Sequence, residues 1–223
     1  MKRIRRAPML AVLALIAALL MILVCFLGWN ARTCARVSPD YEYFLLVRPC
    51  EESTSAAVVE ESYSAGGAAV MYGRDKVVLA CYFSRSDAER ICAQTRAEGT
   101  EAEVVRIAAS EFFLYGRNAA YADRAAANAA TADGVARMLY DTANGLERSE
   151  LGQSEAIAAL KGAAASLKGL RTGNGDALGD WNNALYRAEK AARETADGIV
   201  FAKDVRRIQT MLCMSVADMG EIL

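Results

Sequence analysis

The pattern of apolar and polar residues divides the chain into three parts. The first is an unbroken apolar run of 19 residues, Met9–Leu27. The second, residues 41–108, mixes short apolar runs typical of strands with segments of helical spacing. The third, residues 109–223, is rich in Ala and contains no Pro. Its apolar residues recur every three or four positions, which predicts helices.

The apolar run has the length of a membrane-spanning helix. At 1.5 Å per residue it would extend about 28 Å, close to the ~30 Å hydrocarbon core of a bilayer. The alternative, a cleaved signal peptide, usually has a shorter apolar region of about 7–15 residues. Four basic residues precede the run, and the positive-inside rule then predicts a cytoplasmic N-terminus: Lys2, Arg3, Arg5 and Arg6. We therefore predict a single-pass membrane protein whose bulk lies outside the cytoplasm.

These patterns define five predicted segments. They are a cytoplasmic tail, an anchor, a linker, a mixed domain and a helical domain, at residues 1–6, 7–28, 29–40, 41–108 and 109–223.

In the mixed domain, the sequence predicts six elements in the order β-α-β-β-α-β. The predicted strands are Tyr41–Val47, Ala68–Tyr72, Lys76–Phe83 and Glu101–Ile107, and the helices are Glu51–Ala65 and Ser86–Glu98. A capping box, Ser86-Asp87-Ala88-Glu89, favours a helix start at Ser86. This order predicts a ferredoxin-like α+β fold with strand order 4-1-3-2 and both helices on one face of the sheet.

Strand alternation then divides the side chains of the sheet between its two faces. We expect the helix-covered face to carry Leu45, Val47, Val78 and Ala80. We expect the opposite, open face to carry Phe44, Leu46, Val77 and Leu79. Leaving four such side chains in water would be costly, so we expect them to be covered. The cover is either the Ala-rich region, through Phe112 or Phe113, or a partner protein.

In the third part, the spacing of apolar residues predicts three helices, at about 110–144, 151–171 and 177–222. Its clearest apolar stripe consists of Phe201, Val205, Ile208, Leu212, Val216, Met219 and Ile222. The spacing does not keep a strict heptad. An antiparallel bundle is therefore favoured over a coiled-coil arm.

The segment Val77–Glu89 resembles the sporulation-related repeat, or SPOR domain. In that family a hydrophobic strand leads through a short polar stretch to an Ala-Glu pair that opens a helix. The matching residues are Phe83, Arg85, Ala88 and Glu89. Tyr43–Val47 occupies the position of the family's first strand, and Gly99–Val105 resembles its closing segment. Leu46 stands where the family usually has Gln, and Cys81-Tyr82 where it has Gly-Pro.

This resemblance implies a non-catalytic protein of the bacterial cell membrane. SPOR proteins bind the glycan strands of peptidoglycan at division or sporulation septa. The contacts would then lie on the sheet face or at the Tyr72–Asp75 turn, through Phe44, Leu46, Tyr72, Arg74, Val77 and Leu79. The alternative is a membrane-anchored scaffold whose SPOR-like fold binds envelope proteins and no longer binds glycan. Burial of the open face by residues 110–223 would favour this alternative.

Charge and composition narrow the possible functions. The chain has no His, which excludes His-based catalytic triads and His metal ligands. Its formal net charge is −1, and all six basic residues before position 40 lie in the predicted tail and the linker, so the rest of the chain is acidic. Nucleic acid is therefore not an expected partner. Neither a catalytic group of residues nor a cofactor motif is visible, so we predict that the protein is not an enzyme and has no cofactor.

The cysteines are predicted to be small core residues. No Cys-x-x-Cys pair is present, which argues against a zinc or redox motif. Five would follow the anchor, at Cys34, Cys50, Cys81, Cys92 and Cys213. Cys50 and Cys81 would lie at distant ends of antiparallel strands, so a disulfide between them is not expected.

Overall fold

The structure, a computed structural model, describes residues 15–25, 34–172 and 178–222. The strands are β1 Cys34–Val37, β2 Glu42–Pro49, β3 Val70–Tyr72, β4 Lys76–Tyr82, β5 Glu103–Ala108 and β6 Phe112–Tyr115. The helices are α1 at residues 15–25, α2 Ser55–Ser64, α3 Arg85–Ala97, α4 Ala122–Glu147, α5 Gln153–Thr172, α6 Gly179–Ala196, α7 Ala202–Ala217 and α8 Met219–Ile222. A 3-10 helix, Gly116–Tyr121, leads into α4.

The predicted fold class is wrong in its membrane-spanning helix. Within the described ranges, no helix combines the length and the apolar character needed to cross a membrane. The predicted single-pass localisation is wrong for the same reason. The predictions for residues 1–14 and 26–33, including the cytoplasmic tail, lie outside the described residues.

The mixed domain contains a four-stranded antiparallel sheet in the order β3-β4-β2-β5. This is the strand order expected from the β-α-β-β-α-β pattern. At the centre of the sheet, Leu45 pairs with Cys81 on one side and with Val105 on the other. Strand β2 is buried from Tyr43 to Val47. Because successive side chains of a strand alternate between faces, this continuous burial requires cover on both faces of the sheet.

The cap of α3 lies two residues before the predicted position. Ser84 has an extended backbone, with φ −130° and ψ 129°, and its Oγ accepts a hydrogen bond from the amide of Asp87. Ser86 is already inside the helix. The Glu89 carboxylate accepts instead from Arg85 Nε at 2.7 Å, so the predicted capping box does not form.

The prediction exchanged the two faces of the sheet. Leu46 packs with Leu79 and with Ile91 and Cys92 of α3, so this set lies under the domain's own helices. The other face belongs to the core shared with the helical region, through Tyr43, Leu45, Val47, Val78 and Cys81. A period of two separates the sets but does not say which set the helices cover.

A β-bulge also breaks the alternation that the prediction assumed for β4. The register shifts between Leu46, which pairs with Ala80, and Val47, which pairs with Val78. Leu79 is the extra residue of the bulge. Ala80 consequently shares the face of Leu46, contrary to its predicted position under Leu45 and Val47.

The helical region contains more helices than the three predicted. The segment predicted as one helix over 177–222 is divided at residues 197–201, where α6 ends and α7 begins, and again at Asp218. The predicted start near residue 110 is also wrong, because Phe112–Tyr115 forms β6 and pairs with β1. Helix α4 packs against α5 and α7, and α6 packs against the same two helices.

Alanine residues line the inward face of the longest helix. Ala125, Ala129, Ala132, Ala136 and Ala143 of α4 are fully buried. Small side chains at these positions let helix axes approach closely, and the long helix compensates for the small area that each buries.

Helix α7 lies across the sheet face opposite to α2 and α3. It contacts all four strands of the sheet. On β2 and β4 the covered side chains Leu45, Val47 and Val78 are fully buried. The sheet is therefore the middle layer of three, between the α2–α3 pair and the helical region.

A pair of matched substitutions tests the face assignment. We expect Val78→Asp to reduce the free energy of unfolding by more than about 3 kcal/mol, because it buries an unpaired carboxylate between β4 and α7. The neighbouring Leu79→Asp lies at a partly exposed position and should cost only about 1–2 kcal/mol. Urea denaturation followed by circular dichroism measures both. If Leu79→Asp reduced the free energy of unfolding more than Val78→Asp does, the predicted assignment of the faces would be right after all.

Candidate functional site

An open cleft lies between α2 and α3 on their side of the sheet. Its volume is about 520 Å³. The floor is formed by Leu46 of β2, by Leu79, Ala80 and Tyr82 of β4, and by Ile91 of α3. Leu46 is buried and the other four are partly exposed. The floor is thus mainly aliphatic.

Uncharged polar side chains and the Glu98 carboxylate form the α3 wall of the cleft. Helix α3 contributes Gln94 and Thr95, and Thr100 follows in the loop after the helix. The Gln94 side-chain amide donates to the Glu98 carboxylate at 3.2 Å. These groups offer both donors and acceptors to a ligand that lies on the floor.

Ser62 is the most buried polar residue of the opposite wall. It lies near the end of α2 and is only 4% exposed. Its hydroxyl has no hydrogen-bond partner among the described residues. A buried polar group without a partner costs about 1–3 kcal/mol, so this hydroxyl destabilises the wall locally.

A two-glycine turn holds Ser62 against β4. Gly66 has a φ of +96°, which ends α2 in the left-handed region that favours Gly. The amide of Gly67 donates to the carbonyl of Ser62 at 2.9 Å. A Cβ at Gly67 would lie 3.0 Å from that carbonyl oxygen and 3.3 Å from the carbonyl oxygen of Leu79. Only Gly lets the chain pass this closely between α2 and β4.

Two ion pairs stand at the rim of the cleft. Arg48 of β2 binds Glu61 of α2 at 3.1 Å. Arg206 of α7 binds both carboxylate oxygens of Glu147, at the end of α4, and approaches the carbonyl of Gly66 at 3.5 Å. The helical region therefore forms one end of the cleft. Each of these arginines therefore already has a carboxylate partner.

Tyr82 is the aromatic residue of the floor. Its ring meets Tyr140 of α4 edge to face, with centroids 6.2 Å apart. Burial raises the pKa of Tyr82 to about 12. The phenol therefore stays protonated at neutral pH and can donate a hydrogen bond.

The six binding residues predicted from the sequence do not form one site. Leu46 and Leu79 meet on the floor of the cleft. Phe44 and Val77 are buried. The other two, Tyr72 and Arg74, lie at the β3–β4 turn, where Tyr72 packs partly against the shared core and Arg74 is exposed.

The sequence analysis did not identify the polar residues of the cleft. The Gly66-Gly67 pair was visible as a helix stop, and it points to the end of α2 where Ser62 lies. Thr95 and Gln94 are ordinary polar residues of an amphipathic helix and give no separate signal. Arg206 lies far along the chain, so only the fold brings it to the cleft.

Comparison with known proteins gives no relative for this chain. No family model matches it, and neither a curated protein nor a solved structure shows a match. The SPOR resemblance therefore stays a prediction. In the part of the chain that the structure describes, no group of three or more Cys, Asp or Glu side chains is placed to hold a metal ion.

The pKa of Tyr82 predicts a specific alkaline transition. An unfolded tyrosine ionises near pH 10, whereas Tyr82 in the folded protein ionises near pH 12. The unfolded state thus releases this proton first, and the Tyr82 contribution to the free energy of unfolding is lost as the pH rises from about 10 to 12. The difference in tyrosinate absorbance between the native protein and Tyr82→Phe should titrate with a midpoint near 12, and near 10 in urea. A native midpoint near 10 would show that Tyr82 is not desolvated.

Proposed function

We propose that the protein is a non-catalytic protein-binding scaffold whose cleft between α2 and α3 holds an extended segment of a partner polypeptide. The observation that carries this proposal is the composition of the cleft, with an aliphatic floor below polar walls. This is the protein-binding alternative of the sequence analysis, without its membrane anchor.

The layering of the fold supports this alternative. Helix α7 covers the sheet face that α2 and α3 leave free, so that face offers no surface to a glycan strand. Burial of a sheet face by residues 110–223 was the observation expected to favour the scaffold over a glycan-binding protein. The cleft remains as the place where the sheet's side chains reach the surface.

The cleft matches the two kinds of group that a peptide presents. An apolar side chain placed on Leu46, Leu79 and Ile91 leaves water, which is worth about 25 cal/mol per Å² buried. The peptide backbone presents donors and acceptors to the hydroxyls of Thr95 and Thr100. Because the charged rim residues are already paired, they discriminate little against a neutral segment.

A glycan strand is the second candidate ligand. Tyr82 on the floor supplies an aromatic surface, and the hydroxyl and amide groups of Thr95 and Gln94 suit sugar hydroxyls. This is the ligand class that the SPOR resemblance implies. The aliphatic residues of the floor favour the peptide over the glycan.

A selection from a displayed random-peptide library tests the proposal on the full chain. Thr95→Trp fills the cleft, whereas Ala97→Trp places the same side chain on an exposed position of the same helix. We expect selected peptides to bind the native protein and Ala97→Trp equally, and Thr95→Trp at least about tenfold more weakly, equivalent to about 1.4 kcal/mol. Fluorescence anisotropy with labelled peptides measures these affinities.

The same variants separate the two ligand classes. Glycan strands from amidase-treated sacculi are tested in parallel. If only the glycan strands distinguish Thr95→Trp from Ala97→Trp, the peptide proposal is wrong and the glycan candidate replaces it. If neither ligand class distinguishes the two variants, the cleft is not the binding site.

A further inference from the structure

Two buried cysteines meet where the sheet packs against the helical region. Cys81 lies on β4 and is 1% exposed, and Cys213 lies on α7 and is fully buried. Both belong to the core that the sheet and the helical region share. The pair thus lies between two layers that are far apart in sequence.

Gln209 positions the two cysteines relative to each other. It lies one turn before Cys213 on α7, and its side-chain amide donates to the Cys81 carbonyl at 3.3 Å and to Cys213 Sγ at 3.4 Å. Interaction with the Cys81 thiol also adds to burial in raising the pKa of Cys213. Helix α7 is therefore seated with the two cysteines as neighbours across the interface.

We propose that Cys81 and Cys213 form a disulfide that links the sheet covalently to α7 when the chain folds in the presence of a disulfide oxidant. The two residues contact the same Gln209 amide nitrogen, so side-chain rotation with a small approach of α7 would bring their sulfurs to the ~2.05 Å of an S–S bond.

The other cysteines are placed differently. Cys92 lies on the opposite face of the sheet, where its thiol donates to the Ala102 carbonyl at 3.5 Å. The remaining three lie at the surface or are half-buried: Cys25, Cys34 and Cys50. The geometry therefore selects one pairing.

The oxidation is a thiol–disulfide exchange with a small disulfide such as oxidised glutathione. One cysteine thiolate attacks a sulfur of the oxidant, forms a mixed disulfide and expels one glutathione thiolate. The second cysteine thiolate attacks the protein-bound sulfur and expels the other. Two protein thiols are thus oxidised, the oxidant is reduced to two glutathione molecules, and these take up the two protons.

Because both thiols are buried in the native protein, we expect the disulfide to form while the chain folds. Burial raises the pKa of the Cys213 thiol, so the native protein offers little of the reactive thiolate. In the unfolded chain both thiols are accessible to the oxidant. The bond then closes a loop of roughly 130 residues, and such long loops constrain the unfolded chain strongly.

The experiment refolds the full chain from denaturant in a mixture of reduced and oxidised glutathione. Free thiols are then alkylated under denaturing conditions, and a non-reduced digest is analysed by mass spectrometry. We expect one cross-linked peptide pair containing Cys81 and Cys213, with the other four cysteines alkylated. We also expect the Tm of the oxidised protein to exceed that of the reduced protein by roughly 10 °C.

Two variants serve as a matched comparison. Cys92→Ala removes a buried cysteine of the other face and should keep both the cross-link and the redox-dependent difference in Tm. Cys213→Ala should lose both. Alkylation of Cys81 and Cys213 in the refolded native sequence, or a bond from either to another cysteine, would overturn the proposal without reliance on any variant.

Discussion

The double-sided burial of β2 is the constraint on which the rest of the structure depends. From Tyr43 to Val47 every residue of this strand is apolar and buried. Since alternate side chains point to opposite faces, one helical layer cannot cover them all. Helix α3 covers Leu46, and α7 covers its neighbours Leu45 and Val47. The Ala-rich region is consequently the second half of the core of the mixed domain.

The position of the cleft follows from the way these helices cover the two faces of the sheet. Helix α7 occupies one face of the sheet, so ligands can reach the sheet only beside α2 and α3. These helices have 10 and 13 residues, and the two-glycine turn after α2 leads the chain directly back to the sheet. They therefore leave the floor around Leu79 and Tyr82 partly open. Because Arg206 reaches the rim, the helical region also determines where the cleft ends.

The sequence predicts local features of this fold better than the features that join its layers. The order of strands and helices between residues 41 and 108, and the strand order of the sheet, follow from local periodicity and turn residues. The face assignment failed because alternation is symmetric between faces, and the bulge at Leu79 then removed the alternation itself. The break after α6 was missed because apolar residues continue through it at helical spacing, at Ala192, Ala196 and Val200. In the cleft, Leu46 and Leu79 were named because they are apolar, whereas Ser62, Thr95 and Arg206 come from three distant segments that only the fold unites.

Polar contacts between the layers explain why one arrangement of α7 is selected. An interface of Ala, Leu and Val alone would tolerate sliding of the helix along the sheet, since apolar packing is non-directional. The Gln209 amide bonds the Cys81 carbonyl, and the Tyr43 hydroxyl donates to Asp133 of α4 at 3.0 Å. Both hydrogen bonds form only when each helix lies at one position along its axis. A shift of either helix would break them and leave buried polar groups unpaired. Arg206 lies three residues before Gln209 on the same helix, so the contact that positions α7 also carries Arg206 to Gly66 and Glu147. The geometry of the cleft is thus determined from the opposite side of the sheet.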